Sequence, residues 1–245
     1  MPIQPFEIQY ISSHTIAPGV KHLIFKKTDN KIFDFLPGQF ITFWFDDGSG
    51  KIKNRSYSIA TIGLKSEVIE IAISYIKDGI ASKRLFDVKP GTRFNVTGPA
   101  GRLTLQTKEK IRKLILVGTG TGIVPYRTML PQLKMLLGNL INQIYILLGV
   151  QFQKNKIYTE DFRKYSQNYQ NFYFRVCLSR QKENLENYEY TGYVQDQFNK
   201  LDLKPACDVV YLCGNTNMVD NAFMHLINLG FESKSIRREK YISPN

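Results

Sequence analysis

Leu114-Ile115-Leu116-Val117-Gly118-Thr119-Gly120-Thr121-Gly122-Ile123-Val124-Pro125 is the stretch whose reading decides the fold. An apolar run is cut by alternating glycine and threonine, and a helical stretch opens around Pro125. This is the pattern of a strand, a tight turn and a helix N-terminus. Glycines let the backbone approach a ligand closely, and the first N–H groups of a helix point at any anion set before them. The stretch therefore predicts a phosphate-bearing cofactor site in the second half of the chain. Its spacing is short of the full dinucleotide fingerprint. Pro125 stands where a third small residue would pack, and no acidic residue follows cleanly at the next strand end. Taken alone, the turn also reads as a glycine-rich strand–helix connection that binds nothing.

On the C-terminal side, apolar strands alternate with helical stretches. Gln143–Gly149, Phe172–Leu178 and Asp208–Gly214 read as buried strands, and Val124–Leu137 and Met218–Leu229 as helices. Such alternation implies βαβ units and a parallel sheet, and Pro131 predicts a kink or an end in the first helix. On the N-terminal side the rhythm differs. Phe40–Phe45 precedes the turn Asp46-Asp47-Gly48-Ser49-Gly50, Val68–Ile76 alternates before Lys77-Asp78-Gly79, and Arg93–Thr97 follows Lys89-Pro90-Gly91. Short strands between glycine and proline turns predict an antiparallel barrel or sandwich. A charged connector, Lys108–Lys113, separates the two rhythms. Two domains are expected, 1–105 and 106–245.

The chain has 245 residues, 43% of them hydrophobic and 22% charged, as in a globular protein. No apolar run approaches the roughly 18 residues that cross a bilayer, and the amino end lacks the pattern of a secretory signal. A soluble cytoplasmic protein with no membrane contact is expected. Three cysteines (Cys177, Cys207, Cys213) show no CxxC pair, which excludes a self-contained zinc or plant-type iron–sulfur site. His14, His22 and His225 have no companions at metal or triad spacing, so no metal site is expected. Thirty-three Lys and Arg against 21 Asp and Glu give a formal +12, a field that attracts acidic partners. The basic residues are scattered and form no nucleic-acid module.

Arg55-Ser56-Tyr57-Ser58 puts an arginine, an aromatic and hydroxyls in one strand, which by itself fits an exposed barrel edge. Pro37-Gly38-Gln39-Phe40 lies upstream, Gly79-Ile80-Ala81-Ser82 and Gly98-Pro99-Ala100-Gly101 downstream. Then come the glycine–threonine turn, Cys213-Gly214 with Met218 after it, and Glu239-Lys240-Tyr241. Together, in this order, these strings closely resemble the ferredoxin–NADP(H) reductase family of flavoprotein modules. That superfamily also supplies the reductase halves of flavohaemoglobins and dioxygenase systems. The resemblance runs from about Phe6 to Pro244. It implies a six-stranded antiparallel FAD-binding β-barrel, then a Rossmann-like NAD(P)-binding domain with a five-stranded parallel sheet and flanking helices.

The resemblance also implies roles. Arg55 would neutralise the flavin pyrophosphate, Tyr57 would cover one face of the ring, and Ser58 would hydrogen-bond near the reactive nitrogen, with Ser56 beside them. Ile73 and Tyr75 join this cofactor-contacting set. Gly79, Ile80, Ala81 and Ser82 would make a second phosphate contact through backbone N–H groups and the Ser82 hydroxyl, although Asp78-Gly79 is also an ordinary hairpin pair. Gly118, Thr119, Gly120, Thr121, Gly122 and Pro125 would hold the nicotinamide dinucleotide, with Gly214 and Met218. Cys213 would sit beside the nicotinamide, although a cysteine at a strand end is also a common small core residue. Glu239 and Tyr241 match the family's C-terminal pattern, Tyr241 shielding the other flavin face until the nicotinamide displaces it. Ile242-Ser243-Pro244-Asn245 follow that tyrosine, as in the bacterial and flavohaemoglobin-type relatives. Ser58, Cys213, Glu239 and Tyr241 are the candidate catalytic residues.

Ser179 and Arg180 resemble the 2′-phosphate pair of NADPH-dependent members, although they also fit the cap of a surface loop. A further basic residue of bacterial relatives is replaced where Tyr193 follows Gly192. NADP is thus expected, with NAD the alternative. The implied activity passes electrons from NADPH through FAD to an acidic electron-transfer protein, ferredoxin or flavodoxin, by a monomer that binds no nucleic acid. An NAD(P)H:flavin reductase, the separate reductase component of an oxygenase, and a non-enzymatic basic binding protein are the alternatives.

Overall fold

The computed structural model describes residues 5–63, 65–105 and 109–241. The start of the expected connector, Lys108, the expected boundary at 105/106 on its C-terminal side, and the tail 242–245 lie outside them. The described residues form two compact units. One holds those up to Leu105 together with Val124–Met129, the other those of Gln106–Ile123 and Leu130–Ser243.

The first unit contains β1 (Pro5–Ala17), β2 (Val20–Lys27), β3 (Phe33–Asp34), β4 (Phe40–Asp46), β5 (Ile52–Ser58), β6 (Lys65–Ser66), β7 (Val68–Ser74), α1 (Ile80–Phe86) and β8 (Arg93–Ala100). Six strands form one antiparallel sheet in the order β5-β4-β8-β1-β2-β7, and β3 pairs with β6. A bridge between Ile59 and Ile71, with the Ala60 N–H donating to Glu70 O at 2.7 Å, joins the sheet's two ends. The expected barrel is the result. Period-two alternation builds its core: Ile41, Phe43 and Phe45 of β4 and Ile69, Ile71 and Ile73 of β7 point inward. Phe43 packs on Phe25, Phe45, Tyr57 and Phe94 with ring centroids 5.5–6.0 Å apart.

The second unit is built from β9 (Ile111–Thr119), α2 (Val124–Leu136), β10 (Ile141–Val150), α3 (Thr159–Asn168), β11 (Phe172–Leu178), β12 (Glu189–Thr191), β13 (Asp208–Asn215), α4 (Thr216–Asn228) and β14 (Ile236–Tyr241). The first residues of α2 group with the barrel unit. The sheet is parallel, in the order β12-β11-β10-β9-β13-β14. It has six strands where five were expected. The short β12 and the charged β14 (IRREKY) flank it, and neither carries an apolar run that marks a buried strand. Helix α2 continues through Pro131 instead of ending there. The charged connector also needs correction. Ile111–Lys113 already belong to β9; Arg112 pairs with Asp208 at 2.6 Å, and buried Lys113 lies over the Tyr145 ring.

Among the described residues no helix is long and apolar enough to cross a membrane. No group of three or more His, Cys, Asp or Glu among them is placed to hold a metal ion. His14 and His22 stack at 4.9 Å, and His225 meets Phe198 edge-on.

Candidate nucleotide sites

In the second unit the successive strands β9, β10, β11 and β12 step outward in one direction, while β13 and β14 lie on the other side of β9. The order therefore reverses between β9 and β13. Ligands of open α/β sheets bind at the carboxyl ends of the strands flanking such a reversal. Here those ends carry Gly118–Gly122 and Cys213-Gly214-Asn215. They are packed too closely for side chains. A Cβ at Gly122 would lie 2.3 Å from the Cys213 carbonyl oxygen, and one at Gly214, where φ is +123°, 2.5 Å from Thr119 Oγ1. At Gly120, by contrast, nothing lies within 4 Å. The backbone thus closes behind the turn and stays open in front of it.

The two helices that start here differ in a way that selects the anion site. Asn215 caps α4, its Oδ1 accepting the N–H groups of Asn217 and Met218 at 3.0 and 3.2 Å. Ile123 precedes α2 and no side chain caps that helix. A 3-10 turn, Gly120–Ile123, runs straight into α2, so the backbone donors that a phosphate would meet are those that open this turn, reinforced by the helix dipole. Thr119 Oγ1 accepts the Asn215 N–H at 3.0 Å and ties the turn to β13, while Thr121 is half-buried. Pro125 is buried in the first turn of α2. The Met218 side chain packs in the core cluster, and its N–H donates to Asn215 Oδ1.

Beside the turn, β13 and β14 run in parallel register with Cys213 opposite Glu239 and Asn215 opposite Tyr241. Cys213 is fully buried. Burial, with the Glu239 charge, pushes its thiol well up, against a hydrogen bond with Tyr241. The Cys213 side chain is buried, and its main chain borders the turn, its carbonyl 2.3 Å from where a Cβ on Gly122 would lie. Burial raises the Glu239 carboxyl to about 7. Tyr241 is half-buried, and its carbonyl accepts from Thr216 Oγ1 at 3.4 Å.

At the end of β11, the Ser179 and Arg180 N–H groups donate to Val150 O and Gln151 O, each at 3.0 Å. Ser179 is half-buried. The Arg180 guanidinium is exposed and has no hydrogen-bond or ion-pair partner among the described residues.

In the first unit β5 carries the expected strip. Arg55 is exposed; its guanidinium donates to Asn54 O at 2.6 Å and meets no carboxylate among the described residues. Tyr57, two residues on and on the same face, is half-buried and packs edge-on against Phe43 at 5.7 Å. Burial pushes its phenol up to about 12, only partly offset by Arg55. Ser58 is buried, and Ser56 shares a 2.9 Å hydrogen bond with Thr42. An exposed cation beside a partly sheltered aromatic suits a pyrophosphate joined to a planar ring.

Gly79, Ile80, Ala81 and Ser82 form the start of α1, which no side chain caps. Ala81 is buried, and Ser82 Oγ accepts the Ile76 N–H at 2.8 Å, which leaves its hydroxyl proton to donate. Tyr75 is half exposed and edge-on to Phe86. The Ile73 side chain belongs to the barrel core. The phase of β7 carried that signal, since Ile69, Ile71 and Ile73 alternate with Glu70, Ala72 and Ser74. A shallow depression of about 500 Å³ beside Trp44, Arg84 and Arg93 is lined by none of these residues.

The fold and these two sites define a two-domain oxidoreductase that holds a flavin and a nicotinamide nucleotide. The family model of the oxidoreductase FAD-binding domain matches residues 7–105, and that of the oxidoreductase NAD-binding domain matches 116–223. Ferredoxin–NADP reductase B of Sorangium cellulosum is 28% identical over 246 residues, covering 97% of this chain and 98% of that one. The root isozyme 2 of chloroplastic ferredoxin–NADP reductase from Arabidopsis thaliana is 32% identical over 155 residues. That match covers 58% of this chain and only 40% of the plant protein. The crystal structure of a ferredoxin NADP+ reductase from Neisseria gonorrhoeae, with bound FAD and NADP, superposes with a TM-score of 0.83 at 19% identity. The superposition covers 96% of this chain and 98% of that one. The chain belongs to the ferredoxin–NADP(H) reductase family, and it is an FAD-dependent NAD(P)H oxidoreductase.

Proposed function

We propose that the protein moves electrons between NADPH and a one-electron protein acceptor, ferredoxin or flavodoxin, by way of FAD. Bound FAD supplies the conversion between two-electron and one-electron chemistry. The chain's own residues bind and align. Arg55 holds the flavin pyrophosphate, Tyr57 covers one ring face, the Ser58 hydroxyl meets the ring edge, and the start of α1 takes a second phosphate contact. The glycine turn and the α2 start hold the nicotinamide dinucleotide, and Ser179 and Arg180 take its 2′-phosphate. Glu239, with a pKa near neutrality, holds a proton beside Cys213.

The observation that carries this reading is the presence in one chain of an arginine–tyrosine strip on β5 and an uncapped glycine turn at the sheet's switch point. The net charge of +12 supports an acidic acceptor protein, because complementary charge speeds encounter. The three free cysteines fit a reducing compartment, and a cytoplasmic monomer is the proposed form. The test is an anaerobic assay in which NADPH-reduced protein meets either a small acidic ferredoxin or flavodoxin, or free FMN and FAD. The proposal predicts fast electron delivery to the protein acceptor, slowed by salt. Exclusive reduction and release of free flavin contradicts it and identifies a flavin reductase. Delivery only to an oxygenase component identifies a detached oxygenase reductase.

A further inference from the structure

The 3-10 turn after β10 (Gln153–Asn155) and the loop after β11 are joined by an ionic cluster with a buried centre. Its centre is Glu189, the first residue of β12, whose side chain has no exposed surface. The carboxylate accepts from Gln153 Nε2 at 2.6 Å, Lys156 Nζ at 2.6 Å and the Glu186 N–H at 3.0 Å. Lys156 also reaches Glu186 Oε1 at 3.3 Å and Tyr188 Oη at 3.1 Å. The second proton of Gln153 Nε2 goes to Asn184 O at 2.8 Å, and the Gln153 N–H goes to Gln181 Oε1 at 3.1 Å. With the Ser179 and Arg180 N–H groups bound to Val150 and Gln151, residues 179–189 are fastened along their length to residues 150–156. Burial pushes the Glu189 carboxyl up, but its hydrogen bonds from Glu186, Lys156 and Gln153 outweigh this and hold it below the usual range.

A buried ion pair gives little net stability over an apolar pair of equal volume, and what it adds is a single geometry. The loop fixed here is the one that presents Arg180, a long side chain with nothing else to hold it. A binding group must be held to within about 0.5 Å to give its full contribution. We propose that Glu189, acting with Lys156 and Gln153, is a positioning residue that fixes Ser179 and Arg180 for the 2′-phosphate and so sets the preference for NADPH over NADH. The proposal rests on the assignment of Ser179 and Arg180 given above.

The test uses the full-length flavin-loaded protein and the variants Glu189→Gln, Lys156→Met, Arg180→Ala and the double variant Glu189→Leu/Lys156→Met. Steady-state kinetics with ferricyanide give kcat and KM for NADPH and NADH. Calorimetry gives the affinity for 2′,5′-ADP, and melting gives stability. For Glu189→Gln and Lys156→Met, KM for NADPH and Kd for 2′,5′-ADP are expected to rise about tenfold, with kcat within about twofold and KM for NADH unchanged. The double variant, which leaves no unpaired buried charge, is expected to stay folded and still lose its preference for NADPH.

Normal discrimination in a folded double variant overturns the proposal, as does a parallel loss of both nicotinamides in step with the melting temperature. If Arg180→Ala also leaves discrimination intact, the 2′-phosphate assignment falls. If Arg180→Ala abolishes discrimination and the Glu189 and Lys156 variants keep it, the positioning role alone falls.

Discussion

The two units offer their nucleotides different kinds of surface. On β5 of the barrel the offer is made by side chains: an exposed Arg55, a half-buried Tyr57 and a buried Ser58 on an edge strand that pairs with β4 on one side. At the end of β9 it is made by backbone, with side chains excluded by contacts as close as the 2.3 Å that a Cβ on Gly122 would meet. The first arrangement can lose a contact and keep its fold. In the second, recognition and folding use the same atoms, so a change that spoils one spoils the other.

That contrast is most exposed to failure at Gly122. Gly122→Ala forces a methyl against the Cys213 carbonyl and is expected to cost about 2–4 kcal/mol of stability and to weaken nicotinamide nucleotide binding. Flavin content per folded chain should not change. Thermal melting with flavin quantitation checks this, and a stable variant with normal NADP+ affinity breaks the comparison on the second unit's side.

Arg55→Ala tests the other side. Losing a charged hydrogen bond to the pyrophosphate should cost about 1.5–3 kcal/mol of FAD affinity, tenfold or more in Kd. Flavin-free protein should melt within about 0.5 kcal/mol of the parent, because the side chain is exposed. Fluorescence titration of the apoprotein with FAD gives the first quantity and denaturant melts the second.

Glu239 sharpens the picture of the second unit, where a half-buried carboxyl lies opposite Cys213. Burial raises its pKa from 4.5 to about 7, so between those values the folded chain binds more protons than the unfolded one. Its contribution to stability is therefore full at low pH and is lost as pH rises through 7. Glu239→Gln should match the parent near pH 4 and exceed it by about 1–2 kcal/mol at pH 8.5, flattening the pH profile. Equal slopes in parent and variant mean that Glu239 stays ionised and solvated.

The smallest effect is expected from Ser56→Ala. Its hydroxyl is turned sideways to Thr42, so FAD affinity and stability should each move by less than about 0.5 kcal/mol. A loss as large as that of Arg55→Ala would make the whole of β5, and not its Arg55–Tyr57 face, the binding surface.

How much of this was legible in the sequence follows the same division. The strand, turn and helix around Gly118–Gly122 stand out because glycine and threonine interrupt an apolar run, and β11 falls at Phe172–Leu178 as read. Helix α3 is hidden by its polarity: TEDFRKYSQN is mostly polar and charged and buries only Phe162. β14 went unread because a charged edge strand has no apolar signature, yet it brings Glu239 beside Cys213. For Ile73 and Met218 the motif gives a place in the chain and not the packing of the side chain. Each occupies the expected place in the chain, and packing turns its side chain into a core. The Gln153–Lys156–Glu189 cluster was invisible because partners more than 30 residues apart meet only once β10, β11 and β12 lie side by side.

The central claim, that one chain holds FAD and reduces it with NADPH, is tested most directly by purifying the protein and titrating it anaerobically with NADPH and, separately, NADH, following the flavin absorbance. The account predicts yellow protein from which heat releases FAD, bleached by NADPH at lower concentration than by NADH. Colourless protein that gains no flavin from added FAD, or bound flavin that neither nicotinamide bleaches, would contradict it.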